Sequence, residues 1–567
     1  MSKLISGSSN LLGIYQDSPC YAFGHCLAIE DKIIQVGNDN ITCFDIYSHF
    51  AVTGHVCGQT DMAMVHLLDL NTGNILFSSK IHKLLVKSVK FTLDGQFVIS
   101  MGGQDDRQLT VTNLSGKSVA GILISKELQK QIYTLSVGPN YTFFAAGEIA
   151  PKIWKMDAGT KKLQEHQFQT GLIKRVIISS LIVDDLVLCG SLSGDILKFD
   201  TKNMIYKNNG PPKFSDDFPK GIHALSLLNK DTILIGGGAG TVAVAKLQDL
   251  QLLFKINIGN VMVYDLRFNA ANQIFGLFGD GTLQKMTKEL KNLQIVKKFH
   301  LQGITCISSP RNTNALLLTG SYKDIFLWDL VNEKVVKSYS VNNKTCLSLC
   351  VSGDGTDIVS GWDDGRIRVF SPETSKLKYE IINAHKNQVT ALNTTIINNE
   401  VHIVSGGDEG YLRIWKGNKL IQSLSEHKDR ITQLLIEENL CISSSNDCSC
   451  IIWDLSSYTR KQVFFGENSI KAIISLPGCL VTFDHKVSFW QKKGELLRQI
   501  ALNTSCSCAY LKDENTMLIG CENGEIIEMN IVTGTFTTTS FGQREITGIV
   551  KGFSASSDGS LIKFSSQ

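Results

Sequence analysis

Asp363 and Asp364 stand together before Gly365, and Arg366 and Arg368 follow at alternate positions. Two neighbouring carboxylates can divide the work of a general acid and a general base, and paired guanidinium groups can clamp a phosphate or a carboxylate. Two other strings also offer chemistry. GGGAG, residues 236 to 240, has the glycines of a phosphate cradle, and Gly116-Lys117-Ser118 has the last letters of a phosphate-binding loop. A cradle of that kind needs a strand, a glycine loop and a helix in succession, and no helical periodicity follows either string. The position five before Gly116 is Val111, where a glycine belongs. No GxSxG and no HExxH occurs. The sequence offers no catalytic residue.

Metal and redox chemistry fare no better. Of the fifteen cysteines, the closest pairs are Cys448 with Cys450 and Cys506 with Cys508. Each pair has one residue between its members, where a zinc knuckle or a redox motif has two. They read as reduced, small core residues of a cytosolic protein, with no metal site and no cofactor. The amino-terminal MSKLISGSSNLLGIYQ lacks the continuous apolar core of an export signal. Apolar runs such as VIISSLIV soon meet Asp184 and Asp185, so no membrane partner is expected. Lys+Arg 56 against Asp+Glu 53 leaves a net charge of +3, too weak a field to draw nucleic acid without a local patch.

The elements that hold these residues repeat along the chain. SGWDDGRIRVF ends at Phe370, SGGDEGYLRIW at Trp415, GLFGDGTLQKM at Met286 and SASSDGSLIKF at Phe564. Each has small residues, a polar turn, then alternating apolar residues closed by a large one. Fourteen such closing positions run from Phe44 and Leu68, through Met286 and Trp328, to Phe564. Most lie one WD40 period apart, about 40 to 45 residues. Period-two alternation says strand, and Gly, Asn and Asp at the joins say hairpin turn.

In such a repeat the acid sits in the turn between the second and third strands, where a short side chain bonds neighbouring backbone N–H groups. Asp364, six residues before Phe370, has that place, and Asp280, Asp447 and Asp558 share its register. Glu409 departs in type but not in position. A histidine opening the next blade is expected to bond this acid. His385 and His427 fit best, with His55, His82 and His300 fitting more loosely. These positions are read as structural. Arg366 and Arg368 then share one face of a third strand, solvated or bridging blades.

A propeller has between four and eight blades, so fourteen repeats require two rings. The expected fold is all-β, with WD40 repeats forming two tandem seven-bladed β-propellers over residues 1–295 and 296–567. Phe44 and Leu68 stand too close for a full set of strands, so one blade near 44–68 is expected to be shortened. The last blade needs an outer strand from elsewhere, either LLGIY near residue 11 or LQIVKKF near residue 293.

Several strings go beyond the generic repeat. They include GGQDD (102–106), QTGLIKRV (169–176), KDIFLWDL (323–330), SGWDDGRIRVFSPETSKL (360–377) and NAHKNQVTA (383–391). On these the chain resembles the family of cilia- and flagella-associated WD-repeat proteins of doublet microtubules. The resemblance implies a structural, non-enzymatic microtubule inner protein of the ciliary or flagellar axoneme. It would sit in the B-tubule lumen near the inner junction, with tubulin and other microtubule inner and inner-junction proteins as partners. No tubulin-contacting residue carries over from that resemblance. The alternative is a general WD40 interaction scaffold, resembling a double-propeller actin cofactor or a substrate receptor.

Overall fold

The computed structural model of the chain describes residues 3–6, 11–29, 32–37, 39–57, 62–126, 130–170, 173–210, 217–300, 302–310, 313, 315–541 and 544–563. Its described elements are fifty-five β-strands. They fall into two compact units, one of Ser9–Phe299 and one of Met1–Ser8 with His300–Gln567.

The unit Ser9–Phe299 holds seven antiparallel four-stranded sheets, over residues 12–35, 41–83, 86–123, 132–167, 177–210, 222–257 and 263–298. Within each sheet the strands hydrogen-bond in chain order. The innermost strands pack on one another in sequence, and Val263–Phe268 packs back on Leu12–Tyr15, so the sheets form a closed cycle. Closure leaves no innermost edge open to another chain.

Two expectations are corrected here. The sheet over 41–83 is complete, with strands Ile41–Tyr47, Phe50–His55, Met62–Asp69 and Ile75–Lys83. Phe44 lies on the innermost of these and Leu68 on the third, so their short spacing runs within one sheet and no blade is shortened. The innermost strand ITCFDIY alternates apolar residues as a third strand does, which is why Phe44 imitates a closing residue. The division of the chain also falls after Phe299 rather than after residue 295. The reason is that Gln294–Lys298 is the outer strand of the seventh sheet.

The other unit holds the remaining sheets. Lys334–Val351 is a single strand of 18 residues that begins as the outer strand beside Tyr322–Asp329 and then continues as the innermost strand of the next sheet. Two sheets are thereby joined into one run of seven strands, Cys306–Ser308 to Leu377–Ile381. Sheets over 389–424, 431–465, 472–501 and 506–540 follow. The last has Ile546–Val550, Phe553–Ser556 and Leu561–Lys563, with Lys3–Ser6 paired on the outside of Leu561–Lys563. Ile546–Val550 also packs against Cys306–Ser308, which closes this cycle. Neither LLGIY nor LQIVKKF supplies the outer strand, because each already belongs to a sheet of the unit Ser9–Phe299. Phe564 lies outside the described residues.

Burial follows strand order. Second strands such as Phe97–Gly102 and Thr142–Gly147 are buried at every position, because sheets cover both of their faces. Outer strands such as Leu163–Gln167 are largely exposed. Most innermost strands carry a register shift near their start, for example between Val389 and Ala391 and between Ile431 and Gln433, whereas Leu12–Tyr15, Cys306–Ser308 and Ala472–Leu476 pair without one. A bulge re-aims the side chain it carries.

Candidate functional site

Two sheets of the carboxy-terminal unit contain the same buried polar chain. In one, the Trp415 indole donates to Ser405 Oγ at 2.9 Å, Ser405 Oγ lies 2.8 Å from His385 Nε2, and His385 Nδ1 lies 2.8 Å from Glu409 Oε1. In the other, Trp453 donates to Ser443 at 2.8 Å, Ser443 lies 2.8 Å from His427 Nε2, and His427 Nδ1 lies 3.1 Å from Asp447 Oδ2. The partners fix the direction of each proton. An ionised carboxylate only accepts, so the imidazole carries its hydrogen on Nδ1 and accepts at Nε2 from the serine. Serine in turn accepts from the indole. From indole to imidazole every polar atom along the line is matched, while the second Glu409 oxygen, Oε2, is buried without a hydrogen bond.

The charges agree with that arrangement. Burial pushes both imidazoles below their ordinary range, so they are neutral at neutral pH. Burial is the largest single influence on Glu409 and works against its charge, but the His385 ring and the backbone hydrogen bonds, that of Lys386 among them, together outweigh it and hold the carboxyl down at about 2. Arg413 adds a contact to Glu409 at 3.1 Å. The expected pairing order needs correction: His385 bonds Glu409, an acid that follows it, and His427 bonds Asp447. The histidine precedes its acid because it lies in the connection that enters a sheet, ahead of the innermost strand, and the acid lies in the later turn between the second and third strands of that same sheet.

The remaining nominated acids make local bonds. Asp280 accepts from Thr282 N and Oγ1, and Asp558 accepts from Ser560 N and Oγ. Asp364 is bound by Arg368 through two nitrogens, at 3.1 and 2.8 Å, and accepts from Arg366 N. Arg366 reaches Glu380 at 3.0 Å on the outer strand Leu377–Ile381 of the same sheet. Arg368 is buried over the Trp362 ring, so it is neither solvated nor bridging sheets. Trp362 donates to Ser360, which replaces the closing tryptophan that this sheet lacks.

Incomplete versions occur elsewhere. His82 joins Asp106 at 2.9 Å and Ser100 at 2.8 Å, with Thr112 in the tryptophan's place. Asp106 keeps the six-residue register before Thr112 but was not singled out from the sequence. His300 bonds Thr319, which takes the Trp328 indole, and Tyr322 stands in the acid's register. His55 bonds Thr53 at 2.8 Å and the Asp39 carbonyl at 2.7 Å.

A second set of polar residues escaped the sequence reading. Thr390 Oγ1 donates to Ile431 O at 2.6 Å, Thr432 to Ile470 O at 2.6 Å, and Ser507 to Ile546 O at 2.6 Å. Thr42 bonds Val86 O in the same way in the amino-terminal unit. Each hydroxyl sits at the start of an innermost strand and ties it to the next sheet's innermost strand. The signal was present as a Thr or Ser after an apolar residue or cysteine, in ITC, VTA, ITQ and CSC. Thr390, Thr432 and Ser507 line a central cavity of about 910 Å³ in the carboxy-terminal unit, together with Cys306, Arg430, Lys471 and Glu545 among others. The nominated carboxylates and imidazoles are thus held by turn amides, serines and guanidinium groups, and they do not converge on one reacting point.

Against known proteins, residues 376–416 and 418–454 match the family model of the WD domain, G-beta repeat. The first match starts at the outer strand Leu377–Ile381 of one sheet and ends with Lys416, just past Trp415, on the third strand of the next, so the sequence repeat straddles two sheets. The chain is similar to cilia- and flagella-associated protein 52 of Mus musculus, 27% identical over 493 residues, covering 83% of this chain and 78% of that protein. It is similar to the Chlamydomonas reinhardtii protein of the same name, 27% identical over 494 residues, covering 83% and 79%. Protein ROOT INITIATION DEFECTIVE 3 of Arabidopsis thaliana is 27% identical over 248 residues, 41% of this chain and 49% of that protein.

Proposed function

Proceeding from that likeness, we propose that this WD-repeat protein is a structural, non-catalytic component of the cilium or flagellum. The observation that carries the reading is the similarity over 83% of the chain to proteins named for cilia and flagella from an animal and an alga. Its two cycles of sheets act as WD40 propellers, and the polar groups that catalysis would need serve inside them. In finer terms, the protein sits in the B-tubule lumen of doublet microtubules near the inner junction, touching tubulin and neighbouring inner proteins. A rigid framework suits that place, because a partner that is already ordered loses little entropy on assembly.

The test is axoneme fractionation with immunoelectron microscopy. A lumenal protein stays with the doublets in moderate salt and leaves, together with inner-junction proteins, under extraction that opens the B-tubule. Label on the outer microtubule surface, or a wholly soluble pool in ciliated cells, would sink the finer placement.

A further inference from the structure

Cys306 and Cys346 bring their sulfurs to 3.8 Å at the joint between two neighbouring sheets of the carboxy-terminal unit. Both are free thiols on innermost strands. Gly320 is the backbone partner of Cys306. A Cβ at Gly320 would stand 2.6 Å from Cys306 Sγ and 2.9 Å from Cys346 Sγ. Glycine is therefore the residue that lets the two sulfurs lie side by side. The thiols differ in access: Cys346 has no exposed surface, whereas Cys306 is half-buried and lines the central cavity.

We propose that Cys306 and Cys346 form an oxidation site, at which hydrogen peroxide entering the central cavity converts the pair to a disulfide linking the two sheets. The Cys306 sulfur attacks one peroxide oxygen and the O–O bond breaks. Cys306 becomes a sulfenic acid, and its proton leaves with the departing hydroxide as water. The Cys346 sulfur then attacks the Cys306 sulfur, the S–O bond breaks, and the second thiol proton leaves with that hydroxide as another water. Two thiols are oxidised and one peroxide is reduced to two waters. Burial holds the Cys346 thiol well above its ordinary range, and the Cys306 thiol beside it adds to the effect. Access to the cavity assigns the first attack to Cys306, and the enclosed Cys346 takes the resolving role. Closing from 3.8 Å to a bond of about 2.05 Å joins two sulfurs that already share the space beside Gly320.

The experiment treats the full chain with hydrogen peroxide, blocks remaining thiols by alkylation, and maps peptides without reduction. A Cys306–Cys346 peptide, two hydrogens lighter and split by reductant, is the expected product. In Cys346→Ser the reaction should stop at a Cys306 sulfenic acid that a dimedone probe captures, whereas Cys306→Ser should leave Cys346 alkylatable under its unfolding. The linked protein should show an upward shift of its thermal transition that reductant reverses. Both thiols alkylated in full after peroxide, or Cys306 recovered in a disulfide with a different cysteine, would overturn the proposal. The wild-type map decides the matter even if a serine variant folds poorly.

Discussion

Ala145 occupies, beside Trp154, the place that Ser405 holds beside Trp415. Trp154 pairs with Phe143 across the ladder and Trp415 with Ile403, and in each case the residue in question lies two positions further along the second strand. Ser405 accepts the Trp415 indole, whereas the buried Trp154 Nε1 has no serine beside it and makes no bond of good hydrogen-bond geometry, with only the cross-strand Glu165 nearby. Ala145→Ser should therefore stabilise the protein, by about 1 kcal/mol, by giving that N–H an acceptor. Urea unfolding of the variant against the parent measures it, and a loss of stability would show that the added hydroxyl does not fit.

The converse substitution is expected to be costly. Ser443 accepts from Trp453 Nε1 and donates to His427 Nε2 at once. Ser443→Ala leaves both ring nitrogens buried and unmatched, at about 1 to 3 kcal/mol for each orphaned group. The expected loss of about 2 to 6 kcal/mol is read as a lower unfolding midpoint. A change near zero would mean that another group, such as a water, takes the place of the hydroxyl.

Asp364 and Arg368 form an ion pair whose side chains are 12% and 9% exposed. Asp364→Ala removes the carboxylate bound through two nitrogens and leaves Glu380, 3.4 Å from Arg368 Nε, as the remaining counter-charge. The expected cost is about 3 kcal/mol, the scale for uncovering a buried charge. Adding Arg368→Met should recover most of it, since the orphaned charge goes with it. If the single variant kept full stability and lost a binding partner instead, Asp364 would be a contact residue.

Acid should weaken the fold in two stages. Burial depresses His55 to about 4 and lowers His66, His385 and His427 as well. Their unfolded forms take a proton near pH ~6.5 while the folded forms do not, so protonation favours the unfolded chain as pH falls below that value. Glu409, held at about 2, adds its own loss once the unfolded carboxyl begins to protonate near pH ~4.3. Stability measured between about pH 7 and about pH 5 should slope downward toward acid. Replacing His385 and His427 by Gln should flatten the slope, and an unchanged slope would reject the assignment of neutral buried imidazoles.

Legibility in the sequence followed the range of each signal. The third strands were readable because turn and closing residue lie within a dozen positions, as in SGWDDGRIRVF. The turn acids were found at the same time, since their register is fixed by that hairpin. The innermost strand ITCFDIY misled, because alternation alone does not tell one strand of a half-buried sheet from another. Partners brought together by closure were out of reach. Lys3–Ser6 meets Leu561–Lys563 across almost the whole chain, and Arg368 displaces histidine as the partner of Asp364 only because Tyr339 to Lys344 contains no imidazole. The tie from Thr390 to Ile431 O joins adjacent sheets, so the VTA triplet showed the hydroxyl but not its acceptor.

That tie yields a contrast between residues of the same type. Thr390, Thr432 and Thr547 all sit at the start of innermost strands, next to a register shift. Thr390 and Thr432 each donate to the next sheet's innermost strand, at 2.6 Å. Thr547 Oγ1 is buried with no hydrogen-bond partner, although its strand packs against Cys306–Ser308 where the cycle closes. Valine has nearly the shape of threonine without the hydroxyl, so each Thr→Val change isolates the polar atom. Thr390→Val and Thr432→Val lose a bond and strand a carbonyl, which should cost about 1 to 2 kcal/mol each. Thr547→Val removes a buried hydroxyl that bonds nothing and should be neutral or stabilising, by up to about 1 kcal/mol. The three single variants, compared by urea unfolding with unchanged m-values, separate the cases. Equal losses at all three positions would mean that the Thr547 hydroxyl is bonded in solution and that the closing joint is tied like the others.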